Sequence, residues 1–333
     1  MNILIGLNMF QLLTGSETYT YYLAKGLLKR GHSVDIYARS GYGKPLVDGK
    51  LNVQYWDAKS MLTNNKQYDV MNLMHPRPIM AMLEKYPNVP AIATHHGIMD
   101  GERITQPSQF QKLIVVSEEV KHHAITHSGV LPEQIEVVPN FIDLDVYPHR
   151  IIEKPPFRFL WAGRVTAYTA KALRAAMEIT DKVSARLTVL VDKIEKVKAP
   201  KNYPIEVYER RPITSDYLSR FGLVFGSGRF ALEAIATGIP VVIVGREGSD
   251  GIVRENLLSR FMYSNFSGRT YPTVYSNELY NRLAKRIEYM FKSSALYQNI
   301  NKEYEHIRKL FDSEIHISKI ESIYEKAIEM KSH

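Results

Sequence analysis

The stretch 223–247, LVFGSGRFALEAIATGIPVVIVGRE, holds the densest set of residues able to do chemistry. An apolar run, Leu223-Val224-Phe225, leads into Gly226-Ser227-Gly228, and a helix-forming run starts near Arg229. Glycines let the backbone turn tightly, and the helix that follows directs unsatisfied N–H groups and the positive end of its dipole at whatever lies in front of it. Such a turn suits an anion, above all a phosphate. Two chemistries use one. As Gly226-x-Gly228-x-x-Ala231, with Glu247 about 20 positions on to meet a ribose, the stretch fits the dinucleotide fingerprint of a nicotinamide-dependent oxidoreductase. That fingerprint ordinarily opens the first strand-helix-strand unit of its fold, whereas here it lies deep in the second half. Asp143-x-Asp145 imitates a D-x-D metal motif, but in a proline-rich stretch it reads as solvated or turn-forming carboxylates, so no metal site is expected.

The elements that must hold this turn alternate along the whole chain. Residues 3–7, 18–29 and 33–38 read as strand, helix and strand, with Gly31 ending the helix. Short apolar runs at 70–74, 91–94, 113–117 and 135–138 are spaced as parallel strands, with a helix over 118–128. Residues 139–156 carry Pro139, Pro148, Pro155 and Pro156 and read as an interdomain linker. Beyond it, a strand at 157–162, a helix over 169–181 and a strand at 186–191 precede the glycine turn. Residues 303–333 are mostly helical by pattern, with Ile307, Leu310, Phe311, Ile315, Ile323 and Tyr324 expected inside. The fold class is α/β, two layered units in series.

Composition narrows the partners. The chain has 333 residues, 45% apolar and 23% charged, with no cysteine, so disulfides, thiolate metal ligands and a cysteine nucleophile are excluded. No window approaches the ~18 consecutive apolar residues of a membrane span, and the N-terminus lacks a basic leader, which points to the cytoplasm. Residues 1–150 hold 14 basic and 14 acidic side chains, so the whole net charge of +8 lies in the second half. A basic half suits a nucleotide diphosphate or contact with acidic lipid headgroups at the inner face of a membrane. Nucleic acid is not expected, since no Lys/Arg stripe interleaved with aromatics is present.

Seven short strings fall in one order: Thr14-Gly15-Ser16-Glu17, then Leu23–Leu27 with Arg30-Gly31-His32-Ser33-Val34, Thr94-His95-His96-Gly97, Ile114–Ser117, Val138-Pro139-Asn140-Phe141-Ile142-Asp143, Gly163-Arg164 with Lys171, and 232–242, LEAIATGIPVV. Together they resemble the GT-B glycosyltransferases, most closely the retaining glycosyltransferase family 4. The resemblance implies two Rossmann-like α/β/α domains with a cleft between them: residues 1–145, completed by a C-terminal helix over 314–333, on the acceptor side, and residues 146–313 binding the nucleotide sugar. It implies no cofactor and no metal, since fixed cations would take the leaving diphosphate.

The roles implied are specific. Arg164 and Lys171 would meet the charge that develops as the glycosidic bond breaks. Gly15, Ser16, Ser227, Gly228 and Arg229 would line the donor. Glu233 would accept hydrogen bonds from both ribose hydroxyls, and His96, third in T-x-H, would sit at the reacting sugar in preference to His95. The acceptor, whether a glycan, a lipid-linked sugar or a cell-surface polysaccharide, is not named by the loops 37–50 and 75–78. One departure stands out. The family keeps a sugar-reading glutamate eight positions before the ribose-binding one, and here that position is Phe225. Its loss also allows a non-catalytic nucleotide-sugar-binding subunit as an alternative, beside the oxidoreductase.

Overall fold

The computed structural model describes residues 1–10, 15–42, 51–99, 106–200, 203–270 and 273–332. Thr14 and residues 43–50 lie outside the described residues. Two compact units form, one from residues 1–141 and 313–333, the other from residues 142–312.

Unit 1 is built on strands that read as near-continuous apolar runs, because a parallel sheet is covered on both faces. In chain order it comprises β1 (Asn2–Phe10), α1 (Gly15–Lys29), β2 (Ser33–Tyr42), β3 (Gln54–Trp56), α2 (Ala58–Leu62), β4 (Val70–Leu73), α3 (Pro76–Lys85), β5 (Ala91–His95), β6 (Lys112–Val115), α4 (Glu118–Ser128) and β7 (Ile135–Val137). All seven strands pair in parallel in the order β3-β2-β1-β4-β5-β6-β7. The order reverses between β1 and β4, which makes a crevice at their carboxyl ends. Local signals fix the helices. Ser117 Oγ accepts from Val120 N–H ahead of α4, and Gly129, with φ of 65°, closes that helix in the left-handed conformation.

Unit 2 repeats the plan with β8 (Arg158–Gly163), α5 (Ala170–Lys182), β9 (Arg186–Val191), β10 (Ile205–Glu209), α6 (Ser215–Leu218), β11 (Leu223–Gly226), α7 (Gly228–Thr237), β12 (Val241–Val244), β13 (Ser249–Ile252), α8 (Leu258–Tyr263), α9 (Asn277–Lys292) and α10 (Ser294–Lys309). Its sheet runs β10-β9-β8-β11-β12-β13, parallel except for the edge strand β13. The reversal here lies between β8 and β11, paired with Phe225 opposite Trp161.

The last helix, α11 (Ser313–Ser332), returns to unit 1. The chain's end is therefore two helices, and the break at residues 310–312 resets the helical phase. Ile307, Phe311, Ile323 and Tyr324 are buried as the pattern requires, but Leu310 and Ile315 are exposed, and Ile317 and Ile320 fill the interior instead. Residues 139–156 do not hang free between the units. Phe141 is buried against the Tyr19 ring at 4.9 Å in unit 1, and Tyr147 is buried in unit 2.

Candidate donor and acceptor sites

Of the predicted site residues, Arg164 follows the carboxyl end of β8, Ser227 and Gly228 that of β11 and His96 that of β5, whereas Lys171 and Glu233 lie within helices α5 and α7. In unit 2, Gly163 ends β8 and Arg164 follows it, while Gly226 ends the neighbouring strand β11 and Ser227 and Gly228 follow. The phosphate-type turn and the Gly-Arg pair thus emerge side by side at the point where the strand order reverses, where ligands of open α/β sheets bind. Gly228 has φ of 55°, which an L side chain adopts only with strain. Ser227 is the N-cap of α7 but makes no side-chain cap, and it is exposed. The Gly228 N–H donates to the Phe266 carbonyl at 2.9 Å, so in this conformation it is turned to the protein. An anion at this helix end therefore meets the turn that follows, whose N–H groups have no intrahelical acceptor.

Arg164 and Lys171 are both exposed. Between them the turn is locked: the Arg164 carbonyl accepts from Thr169 Oγ1, and Thr166 N–H donates to the same hydroxyl at 2.9 Å. Lys171 then occupies the first turn of α5. A third cation, which the sequence did not single out, joins this edge: Arg246, just past β12, stacks on Tyr168 at 4.2 Å. A groove of ≈ 920 Å³ opens beside the same turn along α5, but neither Arg164, Lys171 nor Glu233 lines it.

Glu233 is 8% exposed and pairs with Arg229, whose Nε lies 3.3 Å from Glu233 Oε1. Burial pushes its carboxyl above the usual carboxylate range, and Arg229, Arg210 and a hydrogen bond with Tyr147 pull against that shift. The Tyr147 oxygen also lies 3.0 Å from the Ile213 carbonyl, which competes with Glu233 for its one hydroxyl hydrogen. Tyr147 and Arg210 were not picked out from sequence, because they approach Glu233 from remote parts of the chain. Phe225 has no exposed surface, and its ring lies 6.0 Å from that of Phe159. The position that would carry the family's carboxylate therefore faces the interior of unit 2.

In unit 1, Gly15 is exposed and Ser16 half-buried at the start of α1, and His96 follows β5. His96 Nε2 lies 3.4 Å from Met74 Sδ, and its ring meets Tyr19 edge-on at 4.8 Å. Thr20 Oγ1 contacts the same sulfur at 3.5 Å, so Met74 ties α1 and the end of β5 to the end of β4. His95 is buried, as the last residue of its strand. Next to Met74, His75 carries a φ of 69°, an uncommon conformation for a non-glycine residue that tends to gather at functional sites. Its Nδ1 accepts from Asn8 N–H at 3.4 Å, and burial holds its imidazole below the usual histidine range, with Glu17 pulling the other way. Asp143 makes a turn: its Oδ1 accepts from Asp145 N–H at 3.1 Å. Among the described residues, no group of three or more His, Asp or Glu side chains could hold a metal ion, and no helix is long and apolar enough to cross a membrane.

Comparison with known proteins places this architecture. The chain is similar to a glycosyltransferase from Rickettsia africae (16% identity, 98% of each chain covered, TM-score 0.67). It is similar to Anabaena Alr3699/HepE in complex with UDP and glucose (15% identity, 98% of this chain and 100% of that one, TM-score 0.66). It also resembles WaaG, a glycosyltransferase involved in lipopolysaccharide biosynthesis (14% identity, 97% and 99% covered, TM-score 0.63). At such identities these likenesses establish the fold, which is that of the GT-B glycosyltransferases. No curated protein sequence matches the chain. Residues 13–146, within the first half of the chain, match the model of Glycosyltransferase Family 4. The dinucleotide-type fingerprint follows the fourth strand of unit 2, and Glu247 is exposed beyond β12, in an ion pair with Arg246 at 3.5 Å.

Proposed function

We propose that the protein transfers a sugar from a UDP-linked donor to a glycan, lipid-linked sugar or cell-surface polysaccharide, without a metal and with retention at the anomeric carbon. Unit 2 takes the nucleotide. Arg164 and Lys171 stabilise the leaving diphosphate, with the end of α7 at Ser227, Gly228 and Arg229 beside them. Glu233 accepts from the ribose hydroxyls. Unit 1 takes the acceptor, while its Gly15 and Ser16 serve as backbone donors to the phosphates of the donor and His96 sits at the transferred sugar. The reading is carried by one observation: Gly163-Arg164 and the Gly226–Gly228 turn, distant in sequence, leave adjacent strands at the same reversal point, with Glu233 on the helix that follows. UDP as the nucleotide is supported by the relative seen in complex with UDP and glucose.

Phe225 shapes the donor end. A buried phenyl group accepts no hydrogen bond, so the sugar is read by the turn itself or by Ser227. The basic second half suits an acceptor embedded among anionic lipid headgroups at the cytoplasmic face. A thermal-shift panel of UDP, GDP, ADP, CDP and NAD tests the donor. Stabilisation by UDP with slow release of UDP from UDP-glucose is expected; stabilisation by NAD alone would remove the proposal.

A further inference from the structure

The carboxylate assigned to the ribose sits where its own charge is disfavoured. Glu233 is 8% exposed, and a carboxylate taken out of water favours its protonated form. A protonated carboxyl is itself a donor and cannot accept from two hydroxyls with equal strength at both oxygens. Three groups from three parts of unit 2 face it: Arg229 on its own helix, Arg210 just past β10, and Tyr147 ahead of β8. Arg229 is the closest fit to the task. It lies four residues earlier on α7, on the same helix face, with Nε 3.3 Å from Oε1 and only 5% of its side chain exposed. Inside the protein the attraction is screened far less than at a surface. Turned to Glu233 and covered, the guanidinium is placed to act on that carboxylate rather than on solvent.

We propose that Arg229, seconded by Arg210, is a positioning residue that keeps Glu233 in the ionised, hydrogen-bond-accepting form needed to hold the ribose of the donor. The proposal rests on the donor-site reading above. Its sign is fixed. The ionised carboxylate binds, so affinity is present at high pH and falls as pH drops through the Glu233 pKa. Burial already raises that pKa, and removing a facing cation raises it further, so the acid limb of binding moves to higher pH.

The test is calorimetric titration of the full chain with UDP-glucose, whose diphosphate has no ionisation between about pH 5 and pH 9, using wild type, Arg229→Gln, Arg229→Lys, Arg210→Gln and Glu233→Gln. Arg229→Gln is expected to move the limb up by about 1–3 pH units and to weaken binding at neutral pH about tenfold or more. Arg229→Lys recovers most of that loss, Arg210→Gln shifts the limb less in the same direction, and Glu233→Gln binds weakly with no limb. An Arg229→Gln protein with the wild-type limb, or one weakened equally at every pH, overturns the proposal. Should Arg229→Gln fail to fold, an unshifted limb in Arg210→Gln overturns it. Equal affinity of wild type and Glu233→Gln at every pH instead overturns the ribose assignment itself.

Discussion

A carboxylate at position 225 would have no water and no partner. Phe225 is fully buried beside Phe159, so Phe225→Glu is expected to cost at least about 3 kcal/mol in urea unfolding without restoring a sugar contact. A variant of wild-type stability would show that the side chain there can reach solvent. Gly228 is the second residue whose geometry predicts an outcome. At φ of 55°, Gly228→Ala costs about 1–2 kcal/mol in backbone strain and should weaken UDP binding by distorting the start of α7. Unaltered melting and unaltered affinity would argue against that turn as part of the site. Residues of this kind were legible in sequence to the extent that their chemistry is local. The glycine turn and Glu233 share one short string, and Arg229 lies one helical turn from its partner. Tyr147, Arg210 and Arg246 became visible only when separate strands were laid side by side.

Among the elements, the parallel strands announced themselves because burial on both faces forces unbroken apolar runs, as in Ile3-Leu4-Ile5 and Val241–Val244. The last helix was harder to read. A single periodic pattern placed Leu310 and Ile315 inside, whereas the break at 310–312 starts a new phase from Ser313. What docks this helix is long-range and polar as well as apolar. Glu321 accepts from Arg30 Nε at 2.7 Å and pairs with His32 Nε2 at 2.6 Å. Burial alone would raise the Glu321 pKa, but the hydrogen bonds from Arg30 and His32 outweigh it and hold the carboxyl below its usual range. A depressed carboxylate stabilises the fold above the unfolded pKa, and that contribution is lost as pH falls through the folded value. Glu321→Gln should therefore cost about 1–2 kcal/mol at neutral pH and lose less stability than wild type on acidification below about pH 4. Parallel acid-unfolding curves for the two proteins would show that this pairing contributes nothing.

At the scale of the molecule, the charge is as telling as the topology. Residues 1–150 are balanced, and the full excess of +8 belongs to the half that carries Arg164, Lys171, Arg210, Arg229 and Arg246. Affinity for UDP should accordingly fall as ionic strength rises through the range where the Debye length shrinks from about 10 Å to about 3 Å, while an uncharged nucleoside such as uridine shows no such loss. The carboxyl edge of unit 2 is proposed as a nucleotide-diphosphate site with Glu233 on the ribose. Titration of UDP into wild type and Glu233→Ala at neutral pH tests it most directly. One site is expected on the wild-type chain, with an affinity about 10- to 100-fold weaker in the variant from the loss of hydrogen bonds to a charged group. Equal binding by both proteins, or no UDP binding by the wild type, would contradict it.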